Sequence, residues 1–94
     1  MAANAIVARR QLARGLRRYR QRSGKTLETV AAELECSVAK VSRMETGISG
    51  IRVQDVRALA PVVGLRPHEE EDMIELVRRA RGREWWHDYA DLLS

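Results

Sequence analysis

The chain has 94 residues, 45% hydrophobic and 32% charged, with 17 Lys+Arg against 13 Asp+Glu for a net charge of +4. That length excludes a second folded domain, and the apolar share is too high for a disordered tail. No apolar run approaches the roughly 18 residues of a membrane span, nor does one long enough for a signal peptide precede Arg9 and Arg10, so a cytoplasmic protein with no membrane partner is expected.

Charge is unevenly placed. Residues 1–52 hold 11 Lys+Arg against 4 Asp+Glu, whereas residues 53–94 hold 6 against 9. Seven arginines, at positions 9, 10, 14, 17, 18, 20 and 22, precede the first acid, Glu28. The basic half suits nucleic acid or an acidic partner surface, and charge alone leaves both open.

Apolar residues recur at helical spacing throughout, and Gly and Pro fall singly between the segments, so the chain reads as all-α. Residues 1–8 read as an amino-terminal arm. The first helix carries Leu12, Leu16 and Tyr19 inward and ends near Arg22, before Ser23-Gly24. Thr26 caps a short second helix with Leu27, Val30, Ala31 and Leu34 on one face and Glu28 in its first turn. Ser37 caps a third, with Val41 and Met44 inward, which stops at Thr46-Gly47.

After a turn around Ser49-Gly50, the residues Val53, Val56, Leu59, Ala60 and Val63 form a fourth stripe closed by Gly64. Pro61 lacks the N–H for the carbonyl four residues back, which predicts a kink there or a stop at Ala60. Pro67 suits a first helical position, and the run from Glu69 to Asp72, balanced by Arg78, Arg79, Arg81 and Arg83, follows the helix dipole. The inner face of this fifth helix is Met73, Ile74, Val77 and Ala80, with an end or bend at Gly82. Residues 84–94 form an aromatic carboxyl-terminal extension. In it Trp85, Trp86, Tyr89, Leu92 and Leu93 make an amphipathic turn or two, and adjacent tryptophans cannot both face one core. That segment is the expected interface, most simply of a homodimer.

Chemistry of the catalytic kind is not expected. There is no Gly-rich phosphate loop, activated nucleophile or oxyanion element, so the chain is not read as an enzyme. His68 beside the acids and His87-Asp88 lack a second ligand at metal spacing, and no metal or cofactor is expected. Cys36 has no cysteine to pair with and reads as a small buried hydrophobe.

The informative stretch is residues 26–47, TLETVAAELECSVAKVSRMETG, two short helices joined by a tight turn at Glu35-Cys36. Ala31 is small where the helices cross. Val38, Ala39, Ser42 and Arg43, with Lys40 at the edge, point outward as a face small at one end and basic at the other. One such helix fits the major groove of B-DNA, where Arg or Lys pairs with guanine. A slight rotation would instead put Val38 in the core and shrink the face to Ala39, Lys40, Ser42 and Arg43.

This stretch resembles the Cro/repressor-type (XRE family) helix-turn-helix, most specifically in SVAKVSRMETG, and the likeness spans about residues 9–64 with Leu12, Leu16, Arg17, Tyr19 and Arg20 of the first helix. The resemblance implies a five-helix, lambda-repressor-like DNA-binding domain over residues 9–83. In it the helix from Ser37 to Glu45 lies in the major groove of double-stranded DNA, Thr46 closes the DNA-facing set, and the amino end of the second helix abuts the backbone. Two positions depart from the family. Leu27 stands where a glutamine is usual and cannot donate to phosphate, so that contact passes to Lys25, Thr26 or first-turn N–H groups. Glu35 stands where glycine is usual, at about 1 kcal/mol if left-handed.

The two ends, MAANAIVARRQL and REWWHDYADLL, are similar to regulators of filamentous bacteria that continue into a carboxyl-terminal domain of unknown function. That likeness implies an amino-terminal portion of a longer transcription regulator, with a small protein as a further partner. The competing function is a protein-interaction module, an antitoxin or co-regulator that keeps the helix-turn-helix fold.

Overall fold

A computed structural model describes residues 2–47 and 50–81. Its elements are α1 (Ala2–Ser23), α2 (Leu27–Leu34), α3 (Val38–Thr46), α4 (Val53–Val63) and α5 (Pro67–Arg81), with no strand among the described residues. The all-α, five-helix expectation is therefore met.

Each boundary has a local cause. Thr26 and Ser37 are extended residues whose hydroxyls accept the backbone N–H of Thr29 and Lys40, both at 3.1 Å. Asp55 accepts the N–H of Arg52 at 2.9 Å and so fixes the start of α4. Gly47 and Gly64 adopt left-handed backbone (φ 79° and 70°) and close α3 and α4.

One core holds the five helices together. Leu12 and Leu16 of α1, Val30 of α2, Val41 and Met44 of α3, Val56 and Leu59 of α4, and Met73 and Val77 of α5 are buried in it. Tyr19 and Leu27 pack against its edge. Helices α1 and α5 run antiparallel, since Gly15 faces Met73 while Arg22, further along, reaches back to Glu69. At Gly15 an added Cβ would stand 3.1 Å from the Met73 sulfur, so the missing side chain is what lets the two helices approach.

One boundary differs from the sequence reading, and one of its open alternatives is decided. Helix α1 starts at Ala2, so the residues read as an arm are helical where described, with Ala8 buried and Ile6 and Val7 exposed. The alanines at 2, 3 and 5 are the best helix formers, which explains the extension. The other end of α1, at Ser23, falls near Arg22 as expected. At Pro61, α4 does not stop at Ala60 but continues to Val63. The proline is exposed, and its ring costs one hydrogen bond near a helix end, where Leu65 N–H closes back on the Ala60 carbonyl at 2.8 Å. The bend or end expected at Gly82, Ser49 of the α3–α4 turn, and the aromatic extension lie outside the described residues.

Candidate nucleic-acid interface

The joint between α2 and α3 is built by its backbone. Glu35 sits in the left-handed region (φ 55°, ψ 44°), the only described non-glycine residue with positive φ. Its N–H donates to the Ala32 carbonyl at 3.2 Å, and that of Cys36 donates to Ala31 at 3.0 Å. These bonds end α2 in about one residue and turn the chain into the cap of α3. Glutamate thus takes the conformation for which the family uses glycine.

Helix α3 divides cleanly. Val41 and Met44 are each 2% exposed and face the core, whereas Val38, Ala39, Lys40, Arg43 and Thr46 are exposed and Ser42 is half-buried. Val38, at 38% exposure, belongs to the outward face, which decides between the two rotations the sequence allows. The guanidinium of Arg43 has no partner among the described residues. Thr46 Oγ1 donates to the Arg43 carbonyl at 3.1 Å and tightens the last turn. Lys40 stands on the opposite edge, where it lines a cavity of about 70 Å³ with Leu34, Cys36, Met44, Asp55 and Ala58.

Two bidentate ion pairs hold this helix and its support. Arg20 of α1 donates to both carboxylate oxygens of Glu45 on α3, at 2.6 and 3.1 Å, and to the Lys25 carbonyl at 3.1 Å. Both side chains are largely buried, 14% and 9% exposed. The hydrogen bonds to Glu45 raise the Arg20 pKa further above its ordinary value. Arg22 bridges Glu69 of α5 at 2.6 and 2.9 Å and also donates to the Gly64 carbonyl. The Arg66 N–H donates to the same Glu69 carboxylate at 2.9 Å. Donation from Arg22 first, and from Arg66 second, pulls the Glu69 pKa down to about 2.

Of the backbone-contact residues expected from the sequence, Thr26 is exposed at the amino end of α2, but its hydroxyl is used internally as the cap. Lys25 Nζ pairs with Glu33 at 2.8 Å. Such a partly exposed pair is weak and leaves the ammonium able to change partners. Leu27 is half-buried and packs on the core, so the family's phosphate-binding position has become a packing position. The Arg20–Glu45 bridge was not foreseen. Its signal lay in Arg20, which falls on the Leu16 side of α1 rather than on the outer arginine face.

Among the described residues no group of three potential ligands could hold a metal ion, and Cys36 is a half-buried thiol at the edge of the core. No helix of the described residues is long and apolar enough to cross a membrane. The expected interface residues Trp85, Trp86, Tyr89, Leu92 and Leu93 lie outside the described residues, as does His87.

Comparison with known families agrees with this geometry. Residues 11–73 match the model of a helix-turn-helix domain. The chain belongs to that helix-turn-helix family, consistent with the XRE-type likeness of residues 26–47. No curated protein and no solved structure matches the chain significantly. Helix-turn-helix domains of this kind are generally non-enzymatic DNA-binding modules.

Proposed function

We propose that the chain is a sequence-specific, double-stranded DNA-binding transcription regulator of the cytoplasm that reads the major groove with α3. The observation that carries this reading is the outward face of α3. Val38 and Ala39 are short enough to let the helix enter, and the unpartnered Arg43 lies one turn further on. Arginine in that setting pairs with guanine O6 and N7. Ser42, Lys40 and Thr46 flank it, Ser37 and Thr26 present capped helix ends to the backbone, and Lys25 adds a phosphate contact by exchanging Glu33 for DNA.

The active form in this reading is a homodimer joined through residues 84–94, with a small protein as a possible further partner, because one recognition helix covers only a half-site. Selection of bound duplexes from a random pool at near-physiological salt tests it. Recovery of paired half-sites supports a dimeric reader. If no sequence is enriched and binding disappears as salt rises, the helix-turn-helix serves a protein surface instead.

A further inference from the structure

Arginines on α1 fall into two groups with different surroundings. Arg20 and Arg22 are tied to carboxylates, and Arg18 and Arg22 lie over the ring of Tyr19 at 5.4 and 4.8 Å. Arg10, Arg14 and Arg17 are exposed and have neither kind of partner among the described residues. At about 3.6 residues per turn these three share one line along the outer side of the helix, with Arg10 and Arg17 separated by a rise of about 10 Å. No acid occurs before Glu28, so α1 itself offers nothing to neutralise them.

The line has a definite neighbour. Arg9 and Ala13 of α1 lie against Gly47, the cap of α3, and Arg20 holds Glu45, two residues before that cap. The seam between α1 and the carboxyl end of α3 therefore runs through positions 9, 13 and 20, and the row at 10, 14 and 17 is the next one round, on the solvent side. On α3, next to the ion-paired Glu45, Ser42 is half-buried and Thr46 is exposed. The arginine row thus lies on the helix that packs directly against the carboxyl end of α3.

We infer that Arg10, Arg14 and Arg17 form a second line of phosphate contacts, which carries the DNA footprint from the helix-turn-helix onto the outer face of α1. This rests on the DNA-binding reading and deepens it. A row of unpartnered guanidiniums at roughly one-turn spacing complements a phosphate strand, and it supplies affinity without reading bases.

The test is the salt dependence of binding to a duplex recovered by the selection and to its scrambled version, between about 50 and 200 mM salt. Each lost phosphate contact removes about 0.9 from the slope of log K against log salt, so R10A/R14A/R17A should lower its magnitude by roughly 2 to 3. The preference for selected over scrambled duplex should stay at the wild-type ratio. R10K/R14K/R17K should restore the slope, because lysine meets phosphate as a point charge. A wild-type slope in the alanine variant, or no restoration by lysine, overturns the inference while leaving α3 as the reader. Failure of the wild-type chain to bind any duplex overturns the DNA-binding reading and this inference together.

Discussion

The guanidinium of Arg20 spans the joint between α1 and α3, with Nε–H donating to Glu45 Oε2 at 2.6 Å and Nη2 to Oε1 at 3.1 Å. Glu45 sits one turn beyond the half-buried Ser42 on the edge of α3 that faces α1. The bridge thereby ties α3, the helix with the outward face, to α1.

Arg20→Ala should destabilise the domain by about 2 to 3 kcal/mol, because it strands a largely buried carboxylate as well as removing charged hydrogen bonds. Chemical denaturation of R20A, E45A and the double variant measures it. The double variant should be less destabilised than the sum of the two singles, since each single leaves the other charge unpaired. Additive losses would mean that the two side chains do not act as a pair.

Glu35→Gly should raise stability by about 1 kcal/mol. The left-handed conformation at φ 55° is strained for any residue with a Cβ, and glycine adopts it freely. The expected readout is a higher denaturation midpoint at an unchanged slope against denaturant. A midpoint at or below wild type would show that the carboxylate side chain contributes something the exposed position does not reveal.

Much of this architecture was legible in the sequence, and the reasons are physical. Thr26, Ser37 and Gly47 announce the helix ends because capping is a local reaction of side chain with backbone, and Val41 and Met44 announce the inner face of α3 by spacing alone. The start of α1 at Ala2 was missed because an uncharged, alanine-rich stretch has no polar face to mark it as an amphipathic helix, and only burial of Ala8 joins it to the core. At Pro61 the sequence left a kink or a stop at Ala60 open, because propensity charges the full interior cost, whereas only two helical residues follow the ring and α4 runs through it. Leu27 was legible on both counts, as a side chain that cannot donate to phosphate and as a member of the apolar face of α2, which packs on the core. Pairings such as Arg20–Glu45 and Arg22–Glu69, 25 and 47 residues apart, need the tertiary fold to be seen.

The Arg22–Glu69 pair predicts a pH dependence with a definite sign. Glu69 has its pKa lowered from 4.5 to about 2 in the folded chain, so its contribution is fully present above pH 4.5 and is lost as pH falls toward 2. Wild type and Glu69→Gln should therefore differ in thermal midpoint at neutral pH and converge as the solution is acidified through that window. A gap that persists unchanged at pH 2 would show that the ionised carboxylate is not what joins α1 to α5.

Arg43 carries the strongest prediction about recognition. Its side chain is exposed on the outer face of α3 with no partner among the described residues, so replacing it should leave the fold intact. Arg43→Ala should weaken binding to the selected duplex by about 1 to 3 kcal/mol while hardly affecting a scrambled one, so that sequence preference falls by the same amount. Lys25→Ala, by contrast, should weaken both duplexes alike and reduce the salt slope by about 1, because a phosphate contact carries no sequence information. Titrating both variants against both duplexes separates the roles. If R43A keeps the wild-type preference ratio, base reading belongs to another residue of the same face, with Ala39 and Ser42 next to be substituted.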